Sequence, residues 1–402
     1  MNALVLGCGE MAGPAIADLA RHGVFNRITV ATRHPERTEA IACSHSSYTV
    51  SVSVARVDVQ DTPALAALMR GHDVVCNLAG PNYRNAVPVV RAAIAAGVSV
   101  VDVSDDWEAT LEILDLDGEA RAAGITVLLG LGASPGVTNV LARYGAERLD
   151  RVEEVRTSWI MRGSDLGGPA LAAHLLYSLP HRAFVYEDGR MREMRAFEDG
   201  REVIDYPELG PVEVMHIGHP EPFTLSRFIE GVRYADDKAT FLPVEVNRML
   251  VELGRIARSP HPVQVDGRAV DPMEFASRYL YEAGKRMTDV PQTGALRTEV
   301  CGERDGRPVQ LVYAAAGRIA IGTGIPCAIG AQLIAAGSVR RRGVFPPEAR
   351  GVLDAELFLQ AVELRNIGTI EETVLDWDRE AAVSRPAPAL RGRSDRSAVR
   401  TA

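Results

Sequence analysis

Residues fit for chemistry lie in a few short stretches of this chain. Gly7-x-Gly9-x-x-Ala12 follows an apolar run at the chain start. Gly7 would allow a tight turn and Gly9 would let backbone approach a pyrophosphate. Glu10, Met11 and Ala12 would open a helix whose free N–H groups face negative charge. Thr32 and Arg33 end the second apolar run. A hydroxyl and a fixed cation there suit the 2′-phosphate of NADP, whereas an acid would hold the bare ribose of NAD. NADP is therefore expected, with NAD the alternative. His216 and His219, in Met-His-Ile-Gly-His-Pro, are the acid/base candidates because imidazole titrates near neutrality. Asp105 and Asp106 follow another apolar run; one could hold an ammonium or act as base, and the other could cap a helix starting at Trp107 or Glu108. A structural role is the competing reading for each.

The elements that would position these residues alternate regularly. Strands at 3–6, 27–32, 51–59, 73–79, 98–103 and 125–129 are separated by helical stretches, the pattern of an α/β doubly wound parallel sheet, a Rossmann fold. Ligands of such sheets sit beyond the carboxyl ends of the strands. That directs attention to Asp58 near the adenine, to Gly80, Pro81 and Tyr83 after the fourth strand, to Ser104 after the fifth, and to 132–139. Gly80, Pro81 and Ser104 are read as cofactor contacts, and Tyr83 as a hydrogen-bonding group for substrate or carboxamide. Pro135-Gly136 ends the alternation. Longer polar strands and turns such as Glu187-Asp188-Gly189-Arg190 and Arg304-Asp305-Gly306-Arg307 then mean antiparallel hairpins in an α+β unit. The expected division is 1–133 for the dinucleotide-binding domain and 134–317 for a substrate and dimerisation domain. An apolar helical segment follows at 318–379, and a mobile tail at 380–402.

Composition narrows the function. With 402 residues, 47% hydrophobic, and a formal net charge of −9, the chain reads as an ordinary globular protein and not a general nucleic-acid binder. No signal pattern and no bilayer-length apolar run are evident, so no membrane association is expected. The five cysteines (Cys8, Cys43, Cys76, Cys301, Cys327) are scattered and lack metal-site spacing, which fits a reducing cytoplasm and no bound metal. Lys238 and Lys285 are the only lysines, so proton transfer falls to His, Asp, Glu or Tyr.

Several stretches, in order, resemble the saccharopine dehydrogenase-like family, in particular its lysine 6-dehydrogenase branch. They include Gly7-Cys8-Gly9-Glu10-Met11-Ala12-Gly13, Asp73-Val74-Val75-Cys76-Asn77 and Gly132-Ala133-Ser134-Pro135-Gly136-Val137-Thr138-Asn139. Leu209-Gly210-Pro211-Val212-Glu213, Thr224-Leu225-Ser226-Arg227 and Arg342-Gly343-Val344-Phe345-Pro346-Pro347-Glu348 extend the likeness. The segment at about 160–205 matches poorly and is where substrate choice should lie. The resemblance implies hydride transfer between a nicotinamide and a carbon bearing an amino group. It implies a cation for a substrate carboxylate, for which Arg227 is first choice, and it places a histidine near His216. It also implies that the helix after 318 returns to the dinucleotide domain and that catalytic and dimer contacts lie in the second domain. The expected protein is thus an NADP-preferring oxidoreductase acting on the C–N bond of an amino acid or related amine, as a homodimer. The alternatives are a reductase of C=C or C=O bonds on the same fold, or a non-catalytic NADP sensor.

Overall fold

The computed structural model describes residues 1–39, 45–47, 49–162, 165, 168–180, 182–259, 261–286 and 293–378. Cys43 and the tail from 380 lie outside them. The chain opens with β1 (Asn2–Leu6), whose last four residues are buried, and turns at Gly7 into α1 (Ala12–Arg21). Gly7 has φ +95°, and a Cβ on it would sit 2.6 Å from the Leu78 carbonyl oxygen. Only glycine fits that turn. The alternation continues through β2 (Arg27–Thr32), β3 (Ser51–Arg56), α2 (Thr62–Met69), β4 (Val74–Asn77), α3 (Asn82–Ala96) and β5 (Ser99–Asp102). It ends with α4 (Trp107–Asp115), α5 (Asp117–Ala122) and β6 (Thr126–Leu128). These strands and β17 (Gly343–Phe345) form a seven-stranded parallel sheet, in the order β17-β6-β5-β4-β1-β2-β3. The order reverses between β1 and β4, which opens a crevice at their carboxyl ends.

After α6 (Val137–Ala146) the chain builds a second, mixed sheet. Its main path is β10 (Glu202–Tyr206), β11 (Gly210–His216), β12 (Tyr234–Leu242), β7 (Arg151–Arg162), β15 (Gly294–Arg304), β16 (Arg307–Gly317) and β18 (Glu371–Asp376). The hairpin of β8 (Arg182–Glu187) and β9 (Arg190–Arg195) joins it at β12. Only β12 and β7 run parallel. The turns at Asp188-Gly189 and Asp305-Gly306 have positive φ at both central residues, as two-residue hairpin turns require. The α+β character expected from the sequence is therefore observed. Helices α7 (Pro169–Ser178), α8 (Glu221–Phe228), α9 (Val246–Ala257) and α10 (Pro272–Gly284) cover this sheet, and β13 (Val263–Val265) pairs with β14 (Arg268–Val270).

Helix α11 (Ile319–Ala335) lies against α1 and the first sheet, and α12 (Ala355–Glu363) lies beyond it. The spacing of Ile325, Ile329, Leu333 and Ile334 in the sequence predicts one apolar face for α11. The helix is instead buried over most of its circumference, including Thr323, Pro326, Cys327, Ala328 and Gln332. A helix apolar all round has no solvent face to present. Gly324 permits the approach: its Cβ would lie 2.2 Å from the Met11 carbonyl oxygen. Buried Asp18 on α1 accepts hydrogen bonds from Gln332 Nε2 (2.9 Å) and Arg365 Nε (2.7 Å), tying the three segments together. No helix among the described residues is long and apolar enough to cross a membrane.

Candidate functional site

A cavity of about 310 Å3 lies between the carboxyl ends of the first sheet and the face of the second. One half is lined by Gly7, Gly9, Met11, Thr32, Arg33, Asp58, Gly80 and Pro81. This half suits a dinucleotide: the Gly7–Met11 turn feeds α1, whose first-turn N–H groups have no strand partner. Thr32 Oγ1 accepts from the His34 backbone N–H (3.3 Å), and exposed Arg33 stands beside it, a hydroxyl and a cation at the β2 end. Asp58 Oδ1 accepts from Gln60 N (3.0 Å) at the same end. Of the other residues expected to contact cofactor, Ala12 is buried behind the turn, holding α1 to the sheet. Glu10 is exposed and accepts from Tyr281 Oη (3.1 Å). Ser104 is fully buried, and its N–H donates to Asp102 Oδ1 (2.7 Å). None of these three is on the cavity wall.

The other half is lined by Asp105, Ser134, Trp159, His174, His219 and Arg318, with apolar residues of β15 and β16. On α7, Ala170, Leu171, His174 and Leu175 share one helical face and line the cavity together. His174 is buried, with Nδ1 3.0 Å from Asp106 Oδ1 and 3.4 Å from Asp105 Oδ1. Burial disfavours its charged form, but Asp105 and Asp106 outweigh that and carry the imidazole up to about 9. Burial pushes fully enclosed Asp106 upward, and His174 opposes it, so the pair holds its proton jointly. Asp105 is partly exposed and accepts from Asn82 Nδ2 (2.9 Å).

His219 faces the same space, its ring centroid 5.9 Å from that of His174 and 5.1 Å from that of Trp159. Its Nδ1 is 3.3 Å from Asp237 Oδ2 and 3.5 Å from Glu221 Oε2, both buried. Asp237 accepts from Thr157 Oγ1 (2.7 Å) and Trp159 Nε1 (3.1 Å), yet burial and the neighbouring Glu221 carry its carboxyl well above the usual range. Ser134 Oγ donates to Glu221 Oε1 (2.7 Å). Two trios, Asp105–His174–His219 and His219–Glu221–Asp237, have ligand atoms close enough to surround an ion. In the second, both Asp237 oxygens and one Glu221 oxygen already accept hydrogen bonds, the arrangement of carboxyl groups that orient an imidazole.

Three sequence-based assignments are corrected. His216 lies at the end of β11 beside Asp236 (3.8 Å), and burial lowers its pKa; it does not line the cavity. Strand parity explains this. Asp236 and Lys238 project from one face of β12 and Asp237 from the other. His216 follows Asp236 and Lys238, whereas the bend at Ile217–Pro220 turns His219 toward Asp237. Arg227 is exposed in the last turn of α8, over the Phe228 ring at 5.4 Å, while Glu221, Thr224 and Leu225 take the buried face. Tyr83 is also off the wall. The sequence predicts this helix from Val87, but α3 begins at Asn82, five residues earlier, so Tyr83 sits in its first turn and stacks on Tyr177 (centroids 4.1 Å, 15°). Asp106 keeps a place, behind His174. Glu221 and Asp237 escaped the sequence reading; Glu221 stands between two prolines two residues after His219, and Asp237, between Asp236 and Lys238, reads as one of a charged run.

Residues 3–128 match the family model described as "Saccharopine dehydrogenase NADP binding domain". Carboxyaminopropylagmatine dehydrogenase of Synechocystis sp. is 23% identical over 387 residues, covering 89% of this chain and 94% of that protein. Carboxynorspermidine synthase of Vibrio alginolyticus is 24% identical, covering 94% and 96%. Saccharopine dehydrogenase (NADP(+), L-glutamate-forming) of Saccharomyces cerevisiae is 34% identical over 151 residues, 38% of this chain and 31% of that protein. The solved apo structure of the yeast saccharopine dehydrogenase (L-Glu forming) superposes with TM-score 0.66 at 18% identity, covering 93% of this chain and 99% of that one. These relatives do not carry the name of the lysine 6-dehydrogenase branch. Residues 3–128 thus match a saccharopine dehydrogenase NADP-binding domain, and the chain, an NAD(P)-dependent oxidoreductase, is similar to saccharopine dehydrogenase-like proteins.

Proposed function

We propose that this protein interconverts a secondary amine with its oxo-compound and amine, using NADP(H), and that the amine-bearing substrate occupies the half of the cavity walled by Asp105, His174 and His219. The observation that carries this reading is the pair of imidazoles, each backed by buried carboxylates, across from the nucleotide half. Breaking or making a C–N bond through an imine needs protons placed on and removed from nitrogen and oxygen; two such groups supply both. Bound NADP gives or takes the hydride. Partly exposed Asp105 pairs with a substrate ammonium, and the His174–Asp106 pair exchanges a proton with it. His219, oriented by Asp237 and Glu221, serves the oxygen leaving or arriving as water. Arg318, at the start of α11 and on the cavity wall, takes the substrate carboxylate in place of Arg227. The names of the relatives, a carboxyaminopropylagmatine dehydrogenase, a carboxynorspermidine synthase and a saccharopine dehydrogenase, support an amine or amino-acid substrate.

A cytoplasmic homodimer belongs to the same reading. Its support is a set of exposed apolar residues on α9, α10 and the β13–β14 hairpin (Ile256, Phe275, Tyr279, Val263 and Val265) that a second copy would cover, and the scattered spacing of the cysteines. The test is NADPH oxidation followed by absorbance across a panel of oxo-acids paired with amines. Turnover that requires the amine, and falls by more than about a hundredfold in both His174→Gln and His219→Gln, is the expected result. Turnover on carbonyl compounds without any amine would replace it with the C=O reductase reading.

A further inference from the structure

Behind His219, away from the cavity, polar groups from three elements meet in the interior. Glu348 lies in the loop after β17 and is fully buried, and neither carboxyl oxygen has a hydrogen-bond partner among the described residues. The Thr224 hydroxyl of α8 and the Asn139 amide of α6 lie close enough to act on its carboxyl, yet Thr224 Oγ1 and Asn139 Nδ2, both buried, meet no partner at good hydrogen-bonding geometry. Glu221, one turn before Thr224, adds a free Oε2 directed at His219 Nδ1 (3.5 Å), while its Oε1 accepts from Ser134. Protein interiors do not leave so many polar atoms unmatched at one place; a water with two to four such partners resolves the mismatch.

The charges around Glu348 fit a group that carries a proton. Glu221 faces it from α8 and disfavours a second negative charge. Arg143, on α6, is the nearby cation, but its Nε donates to the Glu348 backbone carbonyl (2.6 Å) and its other arm to the Phe228 carbonyl (2.6 Å). The guanidinium thus pins the loop to α8 and leaves the carboxyl unpaired; Arg350, on the same loop, and Glu147 lie near Arg143. Burial pushes the Glu348 carboxyl up to about 7, against a smaller pull from Thr224.

We propose that Glu348 is the inner terminus of a buried proton path, running through an ordered water held by Thr224 and Asn139 to Glu221 and from there to His219 at the cavity wall. The inference rests on the amine-oxidoreductase reading for the proton's use. In the reductive direction an oxo-compound, a primary amine, one hydride and one proton give a secondary amine and water. His219 delivers that proton from its cavity-facing side. As its cavity-facing nitrogen gives up a proton, its Nδ1 side takes one from Glu221, Glu221 is recharged through the water from Glu348, and Glu348 regains its proton from solvent between turnovers; oxidation runs the same transfers backwards. Glu348 touches no substrate and is a positioning and proton-holding residue.

Two measurements on the full chain test this. Infrared difference spectra of the ligand-free protein against pH should show a buried carboxylic acid titrating near neutrality. The band should be absent in Glu348→Gln, retained in Glu348→Asp, and moved in midpoint by Glu221→Gln. In turnover, Glu348→Gln should lower kcat about tenfold, leave the KM for NADPH unchanged, and lose the near-neutral limb of the kcat–pH profile, with Glu348→Asp restoring part of each. A missing band, a midpoint indifferent to Glu221→Gln, or an unchanged kcat–pH profile in folded Glu348→Gln would overturn the path. Failure of the functional reading looks different: wild type then turns over no amine pair, while the infrared titration still decides whether Glu348 holds a proton coupled to Glu221.

Discussion

At the scale of single residues, the site is decided by which charges are paired and which are left facing the cavity. His174 is held by Asp105 and Asp106, and its pKa rises from 6.5 in the unfolded chain to about 9 in the fold. Folding therefore gains from the imidazolium fully below pH 6.5, and that gain disappears as pH climbs through about 9. Scanning calorimetry across this window should show wild type losing stability while His174→Gln stays nearly flat. Parallel curves would mean that the pair is not charged. Arg33 makes a second case. It is exposed, and its work begins only when a 2′-phosphate arrives, so Arg33→Ala should raise the KM for NADPH roughly ten- to a hundredfold and leave that for NADH alone. Arg227→Ala, by contrast, should leave the KM for a carboxylate substrate unchanged, because that side chain points away from the cavity.

At the scale of elements, close approach is what brings α11 onto α1. With Gly324 pressed on the Met11 backbone, Gly324→Val should destabilise the fold by more than about 3 kcal/mol in urea titration and weaken NADPH binding, because Met11 lines the nucleotide half. A loss of stability with unchanged affinity would separate the helix contact from the nucleotide turn. The elements most legible in the sequence were those whose signal is local: the β1–Gly7–α1 turn, the alternating strands, and the Asp-Gly hairpins. The half of the cavity walled by His174 and His219 was legible only in part. Whether His216 or His219 meets the cavity depends on which face of β12 each follows, and the parity of one strand is visible only once its register with β11 and β7 is known. Arg227 and Tyr83 failed for a related reason, since the buried face of α8 and the starting residue of α3 are set by tertiary contacts and not by spacing.

At the scale of the molecule, distant parts of the chain must assemble before there is a site at all. Residues 343–345 complete a sheet begun by residues 2–6, Arg365 clasps Asp18, and the cavity takes one wall from each sheet. A nucleotide seated at Gly7–Met11 and reaching toward His174 and His219 would contact Ala315, Ala316 and Gly317 at the end of β16 as well as the strands of the first sheet. Binding should then stabilise both sheets together: NADPH at a hundred times its Kd adds about 2.7 kcal/mol to the unfolding free energy. Hydrogen exchange with and without NADPH is the direct measurement. Amides of β1, β4, β15 and β16 should all slow, and Gly7→Val should abolish the effect in both sheets, because its new side chain would strike the Leu78 carbonyl beside the turn. Slowing confined to β1 and β4 would mean that the nucleotide does not span the two walls, and the hydride would then have no route to an amine held beside His174.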